Sequence, residues 1–348
     1  MKSRFIIFLL SGIVMGPVII NACKKTDAHV FGKPHPISFI VPGGFPAPVY
    51  TFDSNPLTEE GFALGKKLFH DHLLSKNLDV TCSSCHQQHA GYTTFDHDLG
   101  HGTNHQHTAR NVPGIFNMVW QKEFEWDGKT AHLTDQPLTC MTAPEKMGED
   151  VNTVIQKLDT SANYRQMFGA AFGDEKITGD RIAKAITQFV ASLVSAGSKY
   201  DSVKSGLADF NPSEQSGYEL FVLKKCNTCH AEPLFTDLSY RNAGLDLDPF
   251  HHDFGRMRVT KDPGDSLKFK VPSLRNVHLT AYYTHDGRFE AISEMLDHYS
   301  GRVVDGPTTD PLLKNQIPLT ALEKFYLEEF LNTLTDSLFV NNPRFDGP

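Results

Sequence analysis

The sequence holds few tryptophans, two among 348 residues, and few cysteines, six in all. No basic tract stands out: 33 Lys and Arg face 41 Asp and Glu, giving a formal net charge of -8. Without clustered positive charge to neutralise phosphates, nonspecific nucleic-acid binding is excluded. An acidic face suits a basic protein partner instead, although 17 histidines tie the actual charge to pH and to ligation. A long unbroken apolar run is also missing. The one candidate, MKSRFIIFLLSGIVMGPVII, is interrupted by Gly12, Gly16 and Pro17, which argues against a transmembrane anchor.

That segment reads as an export signal over residues 1–22, with Lys2 and Arg4 ahead of the apolar stretch and small or polar residues before Cys23. The run INAC is similar to a bacterial lipoprotein cleavage box, in which Cys23 becomes the lipidated first residue. The expected location is therefore the periplasm or cell envelope, with a lipid anchor on the membrane. The remainder, 40% apolar and 21% charged over the whole chain, is long enough for two domains.

The other five cysteines narrow the chemistry. Cys82 and Cys85 are followed at once by His86, and Cys226 and Cys229 by His230, with Cys140 left single. A redox dithiol needs no histidine after either pair, and a zinc site split over such a distance is unusual. Two CxxCH words in an exported chain read as two covalent c-type haems. The thiols close thioethers on the porphyrin, and His86 and His230 are placed to bind iron from the same side.

The chain also repeats itself. LTEEGFALGKKLFHD (57–71) precedes the first haem word and PSEQSGYELFVLKK (212–225) the second, with Thr58 and Ser213 as expected helix N-caps. ARNVPGIFN (109–117) then WDGK, and LRNVHLTAYY (274–283) then HDGR, continue the echo, which an internal duplication explains. Apolar periodicity predicts helices over 151–169, 179–200 and 319–335. The expected fold is mainly α: two cytochrome-c-like haem domains with long loops. Residues 23–54 form the lipidated start and an irregular arm, 55–205 the N-terminal domain and 206–348 the C-terminal domain.

In order, LGKKLFHD, CSSCH, ARNVPGIFN, FEWDGK, CNTCH, FKVPSLRNVHLTAYYTHDGRF and DHYSG resemble the bacterial di-haem cytochrome c peroxidases and the related MauG proteins, over about residues 55 to 335. The resemblance implies a peroxidatic N-terminal haem and a C-terminal haem that accepts electrons from a small cytochrome c or cupredoxin-like donor. It implies an inter-haem relay at Trp126, with Trp120 left to packing. It implies a calcium ion at Asn111, Thr280 and Tyr282. It makes Tyr299, at the family's offset from His285, the second ligand of the C-terminal haem, with Met295 and His298 as rivals. It makes His101, in a GHG word beside His105 and His107, a candidate distal ligand of the N-terminal haem. It also leaves room for a homodimer.

One position departs from the family. Set from Gln136, the pattern of glutamine, proline, glutamate and methionine falls on Pro144, Lys146 and Met147, so the carboxylate that handles peroxide protons is a lysine. Glu145 and Glu149 are the nearby substitutes, and Cys140 shares the loop. The leading reading is a peroxidase that reduces hydrogen peroxide to water. A MauG-like oxidase of a protein or other substrate is favoured by Tyr299, and a noncatalytic electron-transfer lipoprotein by Lys146.

Overall fold

Glycine decides how the helices meet. In the computed structural model, which describes residues 31–249 and 251–347, the chain is mainly helical with little sheet. The export-signal segment 1–22 and Cys23 lie outside the described residues. The first helices are α1 (Glu59–Phe69), α2 (Cys82–Cys85), α3 (Gln136–Thr142), α4 (Val151–Asp159), α5 (Ala162–Phe172) and α6 (Gly179–Ala191). They are followed by α7 (Lys199–Lys204), α8 (Pro212–Leu223), α9 (Met257–Thr260), α10 (Ile292–Gly301), α11 (Ala321–Asn332) and α12 (Ser337–Val340). The sheet is one antiparallel pair, β1 (Tyr240–Arg241) with β2 (Phe269–Lys270), in register Tyr240 to Lys270.

Local chemistry sets the helix ends. Thr58 caps α1 by accepting from the Gly61 N–H, and Glu59, Glu60, Lys66 and Lys67 suit the helix dipole. For α8 the cap is Asn211 rather than Ser213. Pro212 occupies the first helical position, where its missing N–H costs nothing, and Asn211 and Glu214 bond reciprocally. The stretch 151–169 is not one helix, because Ser161 caps a second start after Asp159. The stretch 179–200 is likewise interrupted after Ala191, and Ser198 begins α7.

Helix α1 packs on α6 at Gly65, where a Cβ would come 1.9 Å from the Ala185 carbonyl oxygen. Helix α8 packs on α11 in the same way, with a Cβ on Gly217 coming 1.9 Å from the Tyr326 carbonyl oxygen. Four residues on from each glycine a phenylalanine meets the partner helix, Phe69 with Phe189 at 5.0 Å and Phe221 with Phe330 at 5.1 Å between ring centroids. Each helix pair thus anchors its own apolar core. The arm closes over the first core: Phe39 and Phe45 lie on the Trp120 ring, whose indole N–H donates to the Pro46 carbonyl at 2.8 Å.

The loops that follow also match. Asn117 and Asn276 take left-handed φ of 55° and 59°, and each opens a 3-10 turn, Met118–Trp120 and Val277–Leu279. The WDGK and HDGR words then form bridged loops, Phe124 to Thr130 and Tyr283 to Phe289, with Gly128 and Gly287 at φ of 74° and 70°. The partner of Asn276 is therefore Asn117 and not Asn111, to which the shared RNV word had pointed. Both side chains clamp backbone, Asn117 accepting from the Ser195 N–H at 3.0 Å and Asn276 from the Asp336 N–H at 2.8 Å. Asn111 is left for another task.

A methyl group at either helix crossing meets a carbonyl that cannot yield without moving its helix. Gly65→Ala and Gly217→Ala are each expected to cost roughly 1–3 kcal/mol. Gly301→Ala, where nothing lies within 4 Å, should stay within about 0.5 kcal/mol. Denaturant midpoints of the three variants check this.

Candidate haem sites and the residues between them

The first haem word forms one helical turn. The Ser84 N–H donates to the Thr81 hydroxyl oxygen and the Thr81 N–H to the Ser84 hydroxyl oxygen, both at 3.0 Å, which places Cys82 and Cys85 on α2 as free thiols. His86 donates its Nδ1–H to the Tyr92 carbonyl at 2.9 Å. That acceptor fixes the tautomer and leaves the Nε2 lone pair for a metal. Burial brings the His86 pKa down to about 4, so the ring is neutral, the form that ligates iron.

The second word repeats this arrangement. His230 Nδ1 lies 3.1 Å from the Pro272 carbonyl and 3.3 Å from that of Phe235, and burial again lowers its pKa. Cys226, Cys229 and His230 line a largely apolar cavity of about 400 Å³ walled by Ile292, Leu296 and Leu331. Apolar walls, paired free thiols and an oriented neutral imidazole fit a covalent haem. Tyr299 and Met295, one turn apart on α10, also line this cavity. Burial, and then the Cys226 and Cys229 thiols, push the Tyr299 hydroxyl pKa up. The rival His298 is committed elsewhere, donating its Nε2–H to the Ala243 carbonyl at 2.9 Å.

The carbonyl of His101 accepts from Cys85 Sγ at 3.7 Å, so the GHG word touches the first haem word through backbone. Its imidazole stacks on His97 at 4.3 Å and meets the His107 ring at 4.5 Å. His97, His101 and His105 line a small polar cavity with Asp79 and Asp96.

Trp126, Asn111, Thr280 and Tyr282 all border the larger cavity. The Trp126 indole N–H donates to the Asn111 carbonyl at 2.9 Å. The Asn111 amide donates to the Tyr282 carbonyl and, at 3.2 Å, to that of Thr284, while its Oδ1 is buried without a partner. Asn111 and Tyr282 are thus brought together, and Thr284 supplies a carbonyl that sequence reasoning did not name. Arg110 holds the segment before Asn111 through Asp127 at 2.8 Å and through two bonds to Asp253 at 2.6 and 2.9 Å.

The loop carrying Lys146 leans on the GHG word, for the Thr103 N–H donates to the Lys146 carbonyl at 2.7 Å. Lys146 Nζ pairs with Glu125 Oε1 at 3.1 Å, and Gln136 Nε2 donates to the same oxygen at 3.3 Å. Cys140 Sγ lies 3.4 Å from Gln136 Nε2 and 3.8 Å from Lys146 Nζ. Burial pushes the Glu125 carboxyl up, but the Lys146 ammonium and the hydrogen bonds outweigh it and the net direction is down. Burial lowers the Lys146 pKa, yet Cys140 and Glu125 carry it above the ordinary lysine range. Glu149 is unavailable to this group, being paired with Lys157 at 2.5 Å. Glu145 contributes its charge to Lys146 but does not form this pair. Sequence reasoning missed Glu125, whose signal was an acidic residue beside Trp126 in a chain with lysine in the carboxylate slot.

Residues 59–209 match the family model for di-haem cytochrome c peroxidase. The chain is 31% identical to the methylamine utilization protein MauG of Methylorubrum extorquens over 290 residues, covering 81% of this chain and 80% of that relative. It belongs to the MauG and di-haem cytochrome c peroxidase family. Within that family it is 34% identical to the cytochrome c551 peroxidase of Nitrosomonas europaea, over 67% of this chain and 71% of the relative. A solved MauG-like protein associated with microbial copper homeostasis superposes with a TM-score of 0.81 at 33% identity, covering 90% of this chain and 99% of that one. The MauG-type fold therefore extends over both haem words.

The half-buried Arg110 and the buried Asp253 tie the segment before Trp126 to the loop after β1. Asp253→Ala removes two of the guanidinium's bonds and leaves it only Asp127, and should cost roughly 3 kcal/mol. Burial raises the Asp253 carboxyl, but Arg110 holds it at about 2, below its ordinary 3.8. The pair's contribution is therefore complete above that ordinary value and is lost as pH falls through about 2. Denaturant midpoints of wild type and Asp253→Ala should converge over that window.

Proposed function

We propose that the protein is an exported di-haem peroxidase that reduces hydrogen peroxide to water at the N-terminal haem. Electrons come from a small cytochrome c or cupredoxin-like donor through the C-terminal haem. The observation that carries this reading is a continuous line of residues. It runs from Cys85 through the GHG and Lys146 loops to Gln136 and Glu125, then along the chain to Trp126 and Asn111 at the second cavity. Bound at the two CxxCH words, the haems supply the redox irons. The protein's own groups orient His86 and His230, surround the second haem with apolar walls and set an indole between the two sites.

The repeated helix crossings and αL asparagines support an internal duplication, one haem to each half. The calcium ion expected at Asn111, Thr280 and Tyr282 finds support in the buried unpaired Asn111 Oδ1, while the Tyr282 carbonyl accepts from the amide nitrogen, so a shared ion requires the Asn111 amide to turn over. The export signal and the Cys23 anchor rest on residues 1–23 alone.

Tyr299 favours a second reading. A phenolate ligand stabilises ferric and higher states, whereas a thioether favours ferrous iron. With Tyr299 on the cavity wall, oxidation of a protein side chain in the manner of MauG competes with donor oxidation.

The deciding experiment mixes haem-loaded protein, oxidised and half-reduced, with peroxide in a stopped-flow spectrometer, with and without a reduced small cytochrome. A rapid change at one haem followed by donor oxidation supports the peroxidase. A persistent oxidised signal with poor donor oxidation supports the MauG-like reading. No change in either state leaves electron transfer. Trp126→Phe should keep both haems and slow transfer between them by ~10-fold or more, a barrier increase of about 1.4 kcal/mol, while an unchanged rate removes the relay.

A further inference from the structure

We propose that Glu125, held by Lys146 and Gln136, is the carboxylate that moves the peroxide proton in this chain. The proposal rests on the reading of the first haem site as the peroxide site, and the relevant residue lies outside the family's glutamate slot.

Two observations carry it. Glu125 Oε1 accepts from both Lys146 Nζ, at 3.1 Å, and Gln136 Nε2, at 3.3 Å, so the carboxylate is fixed by two donors from the peroxide loop. Gln136 is thereby oriented, because only its nitrogen can donate to a carboxylate, and its Oε1 is buried without a partner. A buried acceptor beside a carboxylate awaits a small O–H donor, and hydrogen peroxide is one.

Charge decides which member of the pair acts. Lys146 is an ammonium with no lone pair to take a proton, whereas Glu125 is a carboxylate. Glu125 accepts the proton released by one peroxide oxygen and delivers it to the other, the oxygen–oxygen bond breaks, and water leaves. Haems held at the two CxxCH words would supply the two electrons, which the external donor would replace, and the second oxygen would leave as water after two further protons arrive. Over the full cycle one peroxide, two protons and two electrons give two waters. Lys146 keeps the carboxylate in place and compensates its charge, and so takes over part of the site without replacing the glutamate's chemistry.

The test uses haem-loaded wild type, Glu125→Gln and Glu125→Asp, with haem content and thermal midpoint as controls. Two rates are read: the spectral change with peroxide and the association of cyanide with the oxidised protein. Cyanide enters as hydrogen cyanide and must surrender its proton, so it reports the acceptor without turnover. Glu125→Gln should slow the peroxide step by ~100-fold or more and cyanide association by at least ~10-fold. Wild-type rates in a haem-loaded Glu125→Gln overturn the proposal. Should that variant lose haem, Glu125→Asp keeps the charge but shortens the reach, and unchanged rates there overturn it as well. A wild type inert to peroxide whose cyanide association still depends on Glu125 would refute the peroxidase reading and leave the proton acceptor standing.

Discussion

The hydrogen bond from the Trp126 indole to the Asn111 carbonyl is the contact on which the arrangement of the site depends. Asn111 uses its main chain for Trp126 and its side chain for the carbonyls of Tyr282 and Thr284, so one residue links the WDGK loop of the first half to the HDGR loop of the second. Both loops owe their shape to an αL asparagine upstream and an αL glycine inside. Half-buried Arg110, matched by Asp127 and Asp253, keeps the segment carrying Asn111 from shifting. Asn111 is thereby held at its main-chain carbonyl and at its side-chain nitrogen, with its Oδ1 left unpaired.

Rigidity begins further away, at the two helix crossings. Gly65 and Gly217 let backbones approach closely, and Phe69 and Phe221 fill the space beyond. Each crossing sets the direction in which its CxxCH word leaves the helix pair, and backbone carbonyls then orient His86 and His230. Metal geometry is thus prepared by main-chain acceptors, which a side-chain substitution does not remove.

The loop with Lys146 shows how a family can change residues at a site and conserve its charge pattern. A cation in the usual carboxylate slot would leave the pocket without a base. A glutamate next to Trp126, absent from the sequence pattern that defines the slot, brings the negative charge back to within 3.1 Å of the lysine. Its positive φ is a property of the bridged loop, since Thr284 at the same place in the second half has it too.

The haem words, the mainly helical class, the Thr58 cap and the family resemblance were all legible along the chain, because attachment, capping and periodicity depend on spacings of a few residues. The misreadings came where short range competes with long range. Asn111 and Asn276 share the word RNV, yet Asn117 takes the clamp position since only it reaches Ser195. His298 sits beside Tyr299 in sequence, but the turn of α10 sends its ring to Ala243. Glu125 and Lys146 are separated by a loop and a helix, and no periodicity joins them. The sequence by itself carried the two CxxCH words and the family they belong to, because both are read from local spacing. Only the tertiary structure decided which carboxylate answers Lys146 and which carbonyls answer Asn111, because those pairings depend on how distant segments pack.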